Sequence, residues 1–402
     1  MSERRTRTGN GPLAGFRVID LSNVISGPLA TMILGDQGAD VIKVEAPGLG
    51  DPIRMFGAIR GGMSSTFVNL NRSKRAIVVD LRREAGKEIL RRLIRGADVF
   101  VQNFRPGVLE RLGFGYEAVR ALAPDVVYAS ISGFGETGPF ADRPVYDNVI
   151  QALSGMASVQ GDPDTGTPEL VRNLSLDKAT AYTVAQAVTA ALLARARGRG
   201  GQHVHVAMLD AALAFLWPDG MMNHTLLGDD VFRVPSFATI YRIYPTRDGS
   251  ITVAALTDEQ WAKGCRAVER EDLIDDPRFR SIFDRMSRLP ELRAMFTELL
   301  ATRTTAEWCA RFERHDVPHA PVLALDEVPE HPQVRANAVL VETEHPCAGR
   351  MRQALPAARF EGTPTHPDRP APAYGEHTDA VLCELGYAPA EIAALHADGT
   401  VA

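Results

Sequence analysis

Short β-branched, apolar runs alternate with segments of helical spacing through the N-terminal third of the chain, and this alternation constrains the fold more than any other feature. The runs typical of buried strands cover residues 17–22, 40–46, 76–81, 97–104 and 125–132. Helical patterns separate them, as over 27–39, where Leu29, Met32 and Ile33 share one face. Such βαβ units predict an α/β fold, a large Rossmann-like domain whose mostly parallel sheet is covered on both faces, with ligands bound beyond the carboxyl ends of the strands.

The loops that follow these strands lack the usual phosphate-binding signatures. They read SNVISGP, VEAPGLGD, QNFRPGVLERLG and SGFGETGP. No GxGxxG follows the first strand and no GxxxxGK[ST] occurs, so neither a nicotinamide dehydrogenase nor a P-loop enzyme is indicated.

A second pattern begins after about residue 228. Two short strands flank the turn-forming TRDG of residues 246–249, and helical stretches follow from 258 to about 315. We expect a smaller α+β domain in this part of the chain.

Composition excludes several classes of function. The net charge of −6 disfavours a nucleic-acid partner, and no segment approaches the roughly 18 apolar residues of a membrane span. The four cysteines are dispersed, without a Cys/His cluster at metal-ligand spacing, so we expect no metal site, no disulfide framework and a cytoplasmic location.

Asp177 stands at the head of an alanine-rich segment, NLSLDKATAYTV. An aspartate there caps a helix by accepting a backbone N–H near the positive end of the helix dipole. A carboxylate can also act as a nucleophile toward an acyl group. Helix geometry alone favours the cap.

The strand-end loops, taken in order with the Asp177 segment, resemble one family. The motifs that carry the resemblance are GFRVIDLSNVISGPLATMILGDQGADVIKVEAPGLGD, NRSKRAIVVDLR, ADVFVQNFRPGVLERLGFGYE, YASISGFGETGP, VYDNVIQALSG, GGQHVHVAMLDA and YGEHT. Together they are similar to the family III CoA-transferases, the CaiB/BaiF group, over nearly the whole chain. The resemblance implies an interlocked homodimer with a large domain over 11–225, a small domain over 226–330 and a C-terminal segment, 331–402, that returns to the large domain.

The resemblance also implies a reaction: CoA moves from an acyl-CoA donor to a carboxylic acid acceptor. Asp177 is then the nucleophile, forming first an aspartyl anhydride and then an aspartyl-CoA thioester. Coenzyme A and its acyl esters are substrates, and no permanently bound cofactor is expected.

The CoA contacts that the resemblance implies lie in the strand-end loops and the segment before Asp177. They are Val24, Ile25, Val79, Asp80, Leu81, Arg82, Asn103, Phe104, Arg105, Val108, Arg111, Arg143, Tyr146 and Asp147. Arg82, Arg105 and Arg111 suit phosphate groups, and Phe104 offers an apolar face or packs in the core.

Three positions depart from the formyl-CoA transferase pattern. Ile25 stands where that enzyme has a glutamine near the reacting carbonyl, Ala46 replaces an arginine, and Ala181 replaces a glycine. A glycine-rich lid is also missing from the small-domain region, so we do not expect oxalate or formate as substrates.

Other side chains have structural interpretations. Trp217, Met221 and Met222 either line an acyl pocket or pack in the core, and the core is favoured. His203 and His205 share one face of a strand and are interpreted as structural or surface groups.

Alternative functions stay open. An α-methylacyl-CoA racemase needs paired bases, but the segment that aligns with its histidine, 143–148, contains only Asp147. A non-catalytic acyl-CoA-binding protein would have no need for Asp177. A CoA-ester hydrolase would use water in place of the acceptor acid. The sequence identifies neither the donor and acceptor acids nor the direction of transfer.

Overall fold

The computed structural model describes residues 10–162, 165–365, 367 and 369–402. Two compact units contain them. The larger comprises the described residues up to Gly155 together with those of Leu170–Phe215 and Arg335–Ala402, and the smaller comprises those of Met156–Glu169 and Leu216–Val334.

Strands and helices alternate through the first half of the chain. The strands are β1 (Arg17–Asp20), β2 (Asp40–Glu45), β3 (Ile59–Arg60), β4 (Met63–Ser64), β5 (Lys74–Val78), β6 (Val99–Gln102), β7 (Val127–Ser132), β8 (His203–Ala207), β9 (Ile243–Pro245), β10 (Ser250–Val253), β11 (His319–Pro321), β12 (Leu340–His345) and β13 (Gly349–Ala354). The helices are α1 (Ser26–Asp36), α2 (Ser65–Asn71), α3 (Glu84–Arg95), α4 (Val108–Leu112), α5 (Tyr116–Leu122), α6 (Asp147–Ser154), α7 (Met156–Gln160), α8 (Ser175–Ala194), α9 (Met208–Gly220), α10 (Met222–Thr225), α11 (Phe237–Ile240), α12 (Asp258–Ala267), α13 (Ile282–Ser287), α14 (Leu289–Leu300), α15 (Thr305–Arg314), α16 (Pro332–Asn337), α17 (Thr378–Glu384) and α18 (Pro389–Ala397).

The larger unit is built on a six-stranded sheet in the order β5-β2-β1-β6-β7-β8. Every neighbouring pair in it is parallel. From β1 the chain adds β2 and β5 on one side of the sheet. It then returns to the other side of β1 and adds β6, β7 and β8. This order confirms the predicted parallel α/β sheet, and it puts a topological switch point between β1 and β6, where such sheets bind ligands.

Helices cover both faces of this sheet. On one face, Val99 and Ala129 pack in a core with Leu29 of α1 and Val184 of α8. Alternate strand residues point the other way, because side chains alternate along a strand. There Phe100 packs with residues of α3, α5 and α17. Both faces are thus apolar, as the nearly continuous β-branched runs of the sequence predict.

The C-terminal segment contacts the β5 side of the sheet. The N–H of His377 donates to the carbonyl of Ala76 at 2.9 Å, and Val79 forms an antiparallel bridge with Val401. The last residues therefore lie beside the loop that follows β5.

The smaller unit contains the three-stranded antiparallel sheet β11-β10-β9. Its core includes Ile251, Trp308 and Phe312, packed under α12, α14 and α15. Its ranges differ from the expected 226–330: it also takes Met156–Glu169 and begins at Leu216. The two segments are neighbours: α7 lies close to the end of α9, where a Cβ atom added to Gly220 would lie 3.4 Å from Val159 Cγ2.

In the part of the chain that the structure describes, helices of sufficient length and apolar character to cross a membrane are absent.

Candidate active site

The loops that leave β1 and β6 are joined at the switch point. Asn103 accepts a hydrogen bond from the Asn23 N–H at 2.9 Å through Oδ1, and its Nδ2 donates to the Asn23 carbonyl at 2.8 Å. Reciprocal bonds of this kind fix both backbones at once. Asn103, an expected CoA contact, therefore also shapes the crevice between the two strands.

Val24 adopts a left-handed backbone conformation, with φ of 69°. A β-branched residue is rarely found there, because its side chain crowds the backbone. The Asp51 carboxylate holds the strained residue by accepting the Val24 N–H at 3.0 Å. Lys43 in turn lies 2.9 Å from Asp51, and both side chains are fully buried. The buried Lys43–Asp51 ion pair therefore fixes the loop that is expected to contact CoA.

A second buried ion pair lies beneath the same loop. Lys74 contacts Asp20 at 3.0 Å, and the Thr31 hydroxyl donates to the same carboxylate at 2.7 Å. Burial alone would raise the pKa of Asp20, but Lys74 and Lys43 hold that pKa well below its usual range. The carboxylate is therefore a permanent anion in the core, and it organises the cations around it.

Asp177 is the third residue of α8, the long helix that packs against α1. Its side chain is 9% exposed, and its carboxylate accepts no hydrogen bond from residues 10–162, 165–365, 367 or 369–402. Burial, and then the negative charge of Asp147, raise the pKa of Asp177 to about 7. The group is thus a desolvated carboxyl that ionises near neutral pH.

Asp147 performs the capping that was considered for Asp177. The Oδ2 atom of Asp147 accepts the N–H groups of Leu176 and Asp177, each at 2.8 Å. The boundary residue, Leu174, makes no side-chain cap. The cap interpretation of Asp177 is therefore wrong: two of the free N–H groups at the start of α8 are satisfied by a carboxylate of a neighbouring helix.

Gln151 completes this arrangement and was missed by the sequence analysis. Its Nε2 donates to Asp147 Oδ1, and its Oε1 accepts the Val171 N–H at 2.9 Å. Asp147 and Gln151 are four residues apart on α6, so they share one face of the helix. That spacing in VYDNVIQ, shortly before Asp177, was the available signal.

Four of the expected CoA contacts, residues 79–82, occupy the loop after β5. Val79 lies in the core, and Leu81 packs against it. Asp80 binds Arg82 at 2.8 Å, while the Arg82 side chain stays 82% exposed. A ligand reaching this loop would meet backbone groups and the Arg82 guanidinium rather than the Val79 side chain.

Three exposed arginines have no acidic partner among the described residues. Arg105 lies three residues before the start of α4 and Arg111 lies within it; neither forms an ion pair with a described residue. Arg143 stacks on the Phe140 ring, with its guanidinium carbon 3.6 Å from the ring centre. Unpaired guanidinium groups beyond the strand ends suit the phosphates of an anionic ligand.

The remaining expected contacts differ in accessibility. Phe104 is partly buried against the core and donates its N–H to Gln102 at 2.8 Å. Val108 begins α4, and Tyr146 is 69% exposed just before α6. Ile25 is only 4% exposed, so its side chain fills the core in place of a polar stabiliser.

The structure also shows the surroundings of Ala181 and of the three side chains considered for an acyl pocket. Ala181 is fully buried one turn beyond Asp177. Trp217 is 44% exposed, so the favoured interpretation as a core residue is wrong. Met221 and Met222 are half-buried and also lie outside the apolar cores that the described residues form.

Comparison with known proteins gives consistent matches. The family model described as CoA-transferase family III matches residues 13–378. The human succinyl-CoA:glutarate CoA-transferase is 34% identical over 93% of this chain and 86% of that protein. The acetyl-CoA:oxalate CoA-transferase of Acetobacter aceti is 36% identical over 85% and 89%, respectively. A crystal structure of a CAIB/BAIF family protein from Brucella suis is 30% identical, with a TM-score of 0.80, over 94% of this chain and 100% of that chain.

Proposed function

The chain belongs to CoA-transferase family III, and we propose that Asp177 is the nucleophile through which this enzyme moves CoA from an acyl-CoA donor to a carboxylic acid. An Asp177 oxygen attacks the thioester carbonyl, the C–S bond breaks, and an acyl-aspartyl anhydride and CoA thiolate result. The thiolate then attacks the Asp177 carbonyl, which releases the donor acid and leaves an aspartyl-CoA thioester. The acceptor carboxylate repeats both steps in reverse order.

The state of the Asp177 carboxylate is the observation that carries this proposal. A carboxylate that is buried and accepts no hydrogen bond from the described residues has lost the solvation that makes carboxylates weak nucleophiles. Its pKa of about 7 leaves a large fraction ionised at neutral pH. A residue that served only to start a helix would be exposed or bonded to the backbone.

CoA binding is assigned to the crevice at the switch point. The loop at Val24 and Ile25 and the linked Asn103 would line the pantetheine path. Arg105 and Arg111 would meet the phosphates, and Arg143 and Tyr146 would approach the acyl end ahead of Asp177. This assignment rests on the exposed, unpaired guanidinium groups among the described residues and on the family resemblance.

Dicarboxylic acids are the first acceptors to test. The human relative is named for succinyl-CoA and glutarate, and the Acetobacter aceti relative for acetyl-CoA and oxalate. Ile25 and Ala46 depart from the formyl-CoA transferase pattern, so we place glutarate and succinate ahead of oxalate and formate.

A racemase function is less well supported. Racemisation needs a free base on each side of the acyl α-carbon. Asp147 is 2% exposed and its carboxylate is occupied by two backbone N–H groups and Gln151. It is thus poorly suited to take a proton from a substrate.

The active form is proposed to be the interlocked homodimer that the family resemblance implies. Apolar side chains on α6 and α8 are exposed in the single chain, and a second copy would cover them. They are Val149, Leu153, Tyr182 and Leu193. Light scattering coupled to gel filtration tests this: a monomer of 43.7 kDa at micromolar concentration would contradict it.

Covalent trapping tests the nucleophile. The protein is incubated with succinyl-CoA, acetyl-CoA or glutaryl-CoA, quenched with hydroxylamine or borohydride, and digested for peptide mass spectrometry. We expect modification of the peptide that contains Asp177. Asp177→Ala should abolish it, whereas Asp379→Ala, which removes an exposed aspartate from the first turn of α17, should not. Tight CoA-ester binding without any labelling would overturn the assignment.

A further inference from the structure

Two histidines and a glutamate converge at the edge of the large sheet. His203 and His205 lie on the edge strand β8, and Glu136 lies in the loop after β7. One ligand atom from each of the three side chains lies within 4.8 Å of the others. Glu136, His203 and His205 are called the edge cluster below.

The edge cluster is on the opposite face of the sheet from α8. His203 is aligned with Tyr128 in the pairing of β7 and β8, and the two rings are 4.9 Å apart. Tyr128 belongs to the core on one face, while its neighbour Ala129 packs with α8 residues on the other. The edge cluster is therefore a separate feature from the nucleophile and its helix.

His203 is held in place by its surroundings. The Tyr116 ring stacks on it at 4.6 Å. Its Nε2 lies 2.7 Å from the Ser130 hydroxyl, which accepts a bond of 3.2 Å from the Gln102 amide. Because Gln102 Oε1 already accepts the Phe104 N–H, the amide presents its NH₂ group to Ser130. The Ser130 oxygen can accept a second hydrogen bond, from an Nε2–H of His203, and in that tautomer Nδ1 of His203 keeps a free electron pair.

We propose that the edge cluster binds a divalent transition-metal ion of the Zn²⁺ type, through one nitrogen of each histidine and a Glu136 oxygen, with water at the open position. Two imidazoles and one carboxylate are a donor set that such ions prefer. Ligand atoms on one tetrahedral Zn²⁺ lie about 3.4 Å apart. Glu136 and His205 are about half-exposed and can move to that spacing from their present 2.8 Å contact.

A hydrogen bond from His203 Nε2–H to the Ser130 hydroxyl fits this assignment. A metal-bound histidine ordinarily donates its second ring N–H to a neighbouring acceptor, which fixes the ring and the tautomer. Sequence spacing alone predicted no metal site, because Glu136 is separated from the histidines by the whole of α6, α7 and α8. A bound ion would fasten the loop after β7 to the edge strand.

The test is a metal titration of the full-length protein, with its tag removed, after EDTA treatment and desalting. Zn²⁺ affinity is measured by competition with a chromophoric chelator, and Co²⁺ absorption reports the ligand geometry. We expect one ion per chain, at least about tenfold weaker binding in Glu136→Gln and His205→Gln, and a roughly tenfold loss in Ser130→Ala.

The matched control is His396→Gln. Among the described residues, His396 forms a comparable exposed histidine–carboxylate contact, 2.7 Å from Asp379, and it belongs to no three-residue ligand cluster there. Its replacement should leave affinity unchanged. The exposed thiols Cys347 and Cys383 are alkylated in a parallel sample, where binding should persist. Undiminished Zn²⁺ binding in both Glu136→Gln and His205→Gln, loss on alkylation, or no stoichiometric binding in the wild type would overturn the proposal.

Discussion

The N–H of Asp177 donates a 2.8 Å hydrogen bond to Oδ2 of Asp147, so the backbone of the proposed nucleophile is fixed by a second carboxylate. That carboxylate also starts the helix and places a negative charge beside the Asp177 side chain. Asp147 thus positions the proposed nucleophile and adds to the rise in its pKa, of which burial is the larger cause. Asp147 is a positioning residue on this interpretation, and several predictions separate its effects from those of Asp177.

Replacing Asp177 by asparagine should stabilise the protein above neutral pH. The pKa of Asp177 is 3.8 as an ordinary carboxyl and about 7 in the fold. Between these values the unfolded chain has already released the proton that the folded chain retains, so stability falls as pH rises. The full penalty, reached above pH 7, is on the order of 4 kcal/mol.

Urea denaturation at pH 4 and pH 8 measures this. Asp177→Asn and the wild type should be equally stable at pH 4, and the variant should be more stable at pH 8. Asp379→Asn, an exposed replacement, should follow the wild type. Equal stabilities at pH 8 would show that the carboxyl is solvated in the folded protein.

Acylation of the wild type should depend on ionised Asp177. We expect the single-turnover rate with excess acyl-CoA to rise with pH, with a midpoint near 7, and to level off above it. Rapid-quench measurement of CoA release reports the rate. A rate that is flat from pH 5 to 8 would mean that the carboxylate has an ordinary pKa.

Asp147→Asn should move that midpoint to lower pH. The variant removes the negative charge that helps to raise the pKa of Asp177, while an amide oxygen can still accept the helix N–H bonds. Asp147→Ala removes the bonds as well and should cost a further 1–3 kcal/mol or so of unfolding free energy. If Asp147→Asn left the midpoint in place, the charge argument would fail although the capping argument stood.

Asn103→Ala should raise the KM for CoA esters and lower stability by roughly 1–3 kcal/mol, because both hydrogen bonds to Asn23 are lost. Asn103→Asp is the graded comparison, since it can accept from the Asn23 N–H but cannot donate to the Asn23 carbonyl. Steady-state kinetics and thermal unfolding should rank the alanine variant as the more impaired in stability. The reverse ranking would argue against the reciprocal bonds.

Arg105→Gln and Arg111→Gln should each raise the KM for CoA esters by about tenfold with little change in kcat, since each removes a charge-assisted contact to a phosphate. Arg120→Gln is the control, because Arg120 is exposed and paired with Glu117 at 3.3 Å. The effect should shrink at high salt. Unchanged KM in both variants would place the phosphates elsewhere.

The parallel sheet could be predicted because its signals, apolar strand-like runs that alternate with helical spacing, are patterns of neighbouring residues. The run at 40–46 became β2 (Asp40–Glu45), and 125–132 contains β7 (Val127–Ser132). The run at 97–104 was overextended: β6 ends at Gln102, where Asn103 turns to bond Asn23. Strand ends are set by such contacts with other segments, which no local pattern records.

Asp177 was identified from the sequence by its place before an alanine-rich helix and by resemblance to a family. The buried, unbonded state of its carboxylate was not, because that state depends on Asp147 from α6 taking over the cap. The ion pairs of Lys43 with Asp51 and of Lys74 with Asp20 were also hidden, since each joins segments separated along the chain.

The sequence by itself determined the α/β alternation and the family and singled out the proposed nucleophile, because strand and helix periodicity and short ordered motifs are properties of neighbouring residues. Tertiary structure decided which carboxylate caps α8 and which is buried without a hydrogen-bond donor among the described residues. It also decided which arginines stay unpaired and which histidines meet Glu136. Burial, charge proximity and hydrogen-bond partners arise only when distant segments pack together, and these quantities set the chemistry of a carboxyl group.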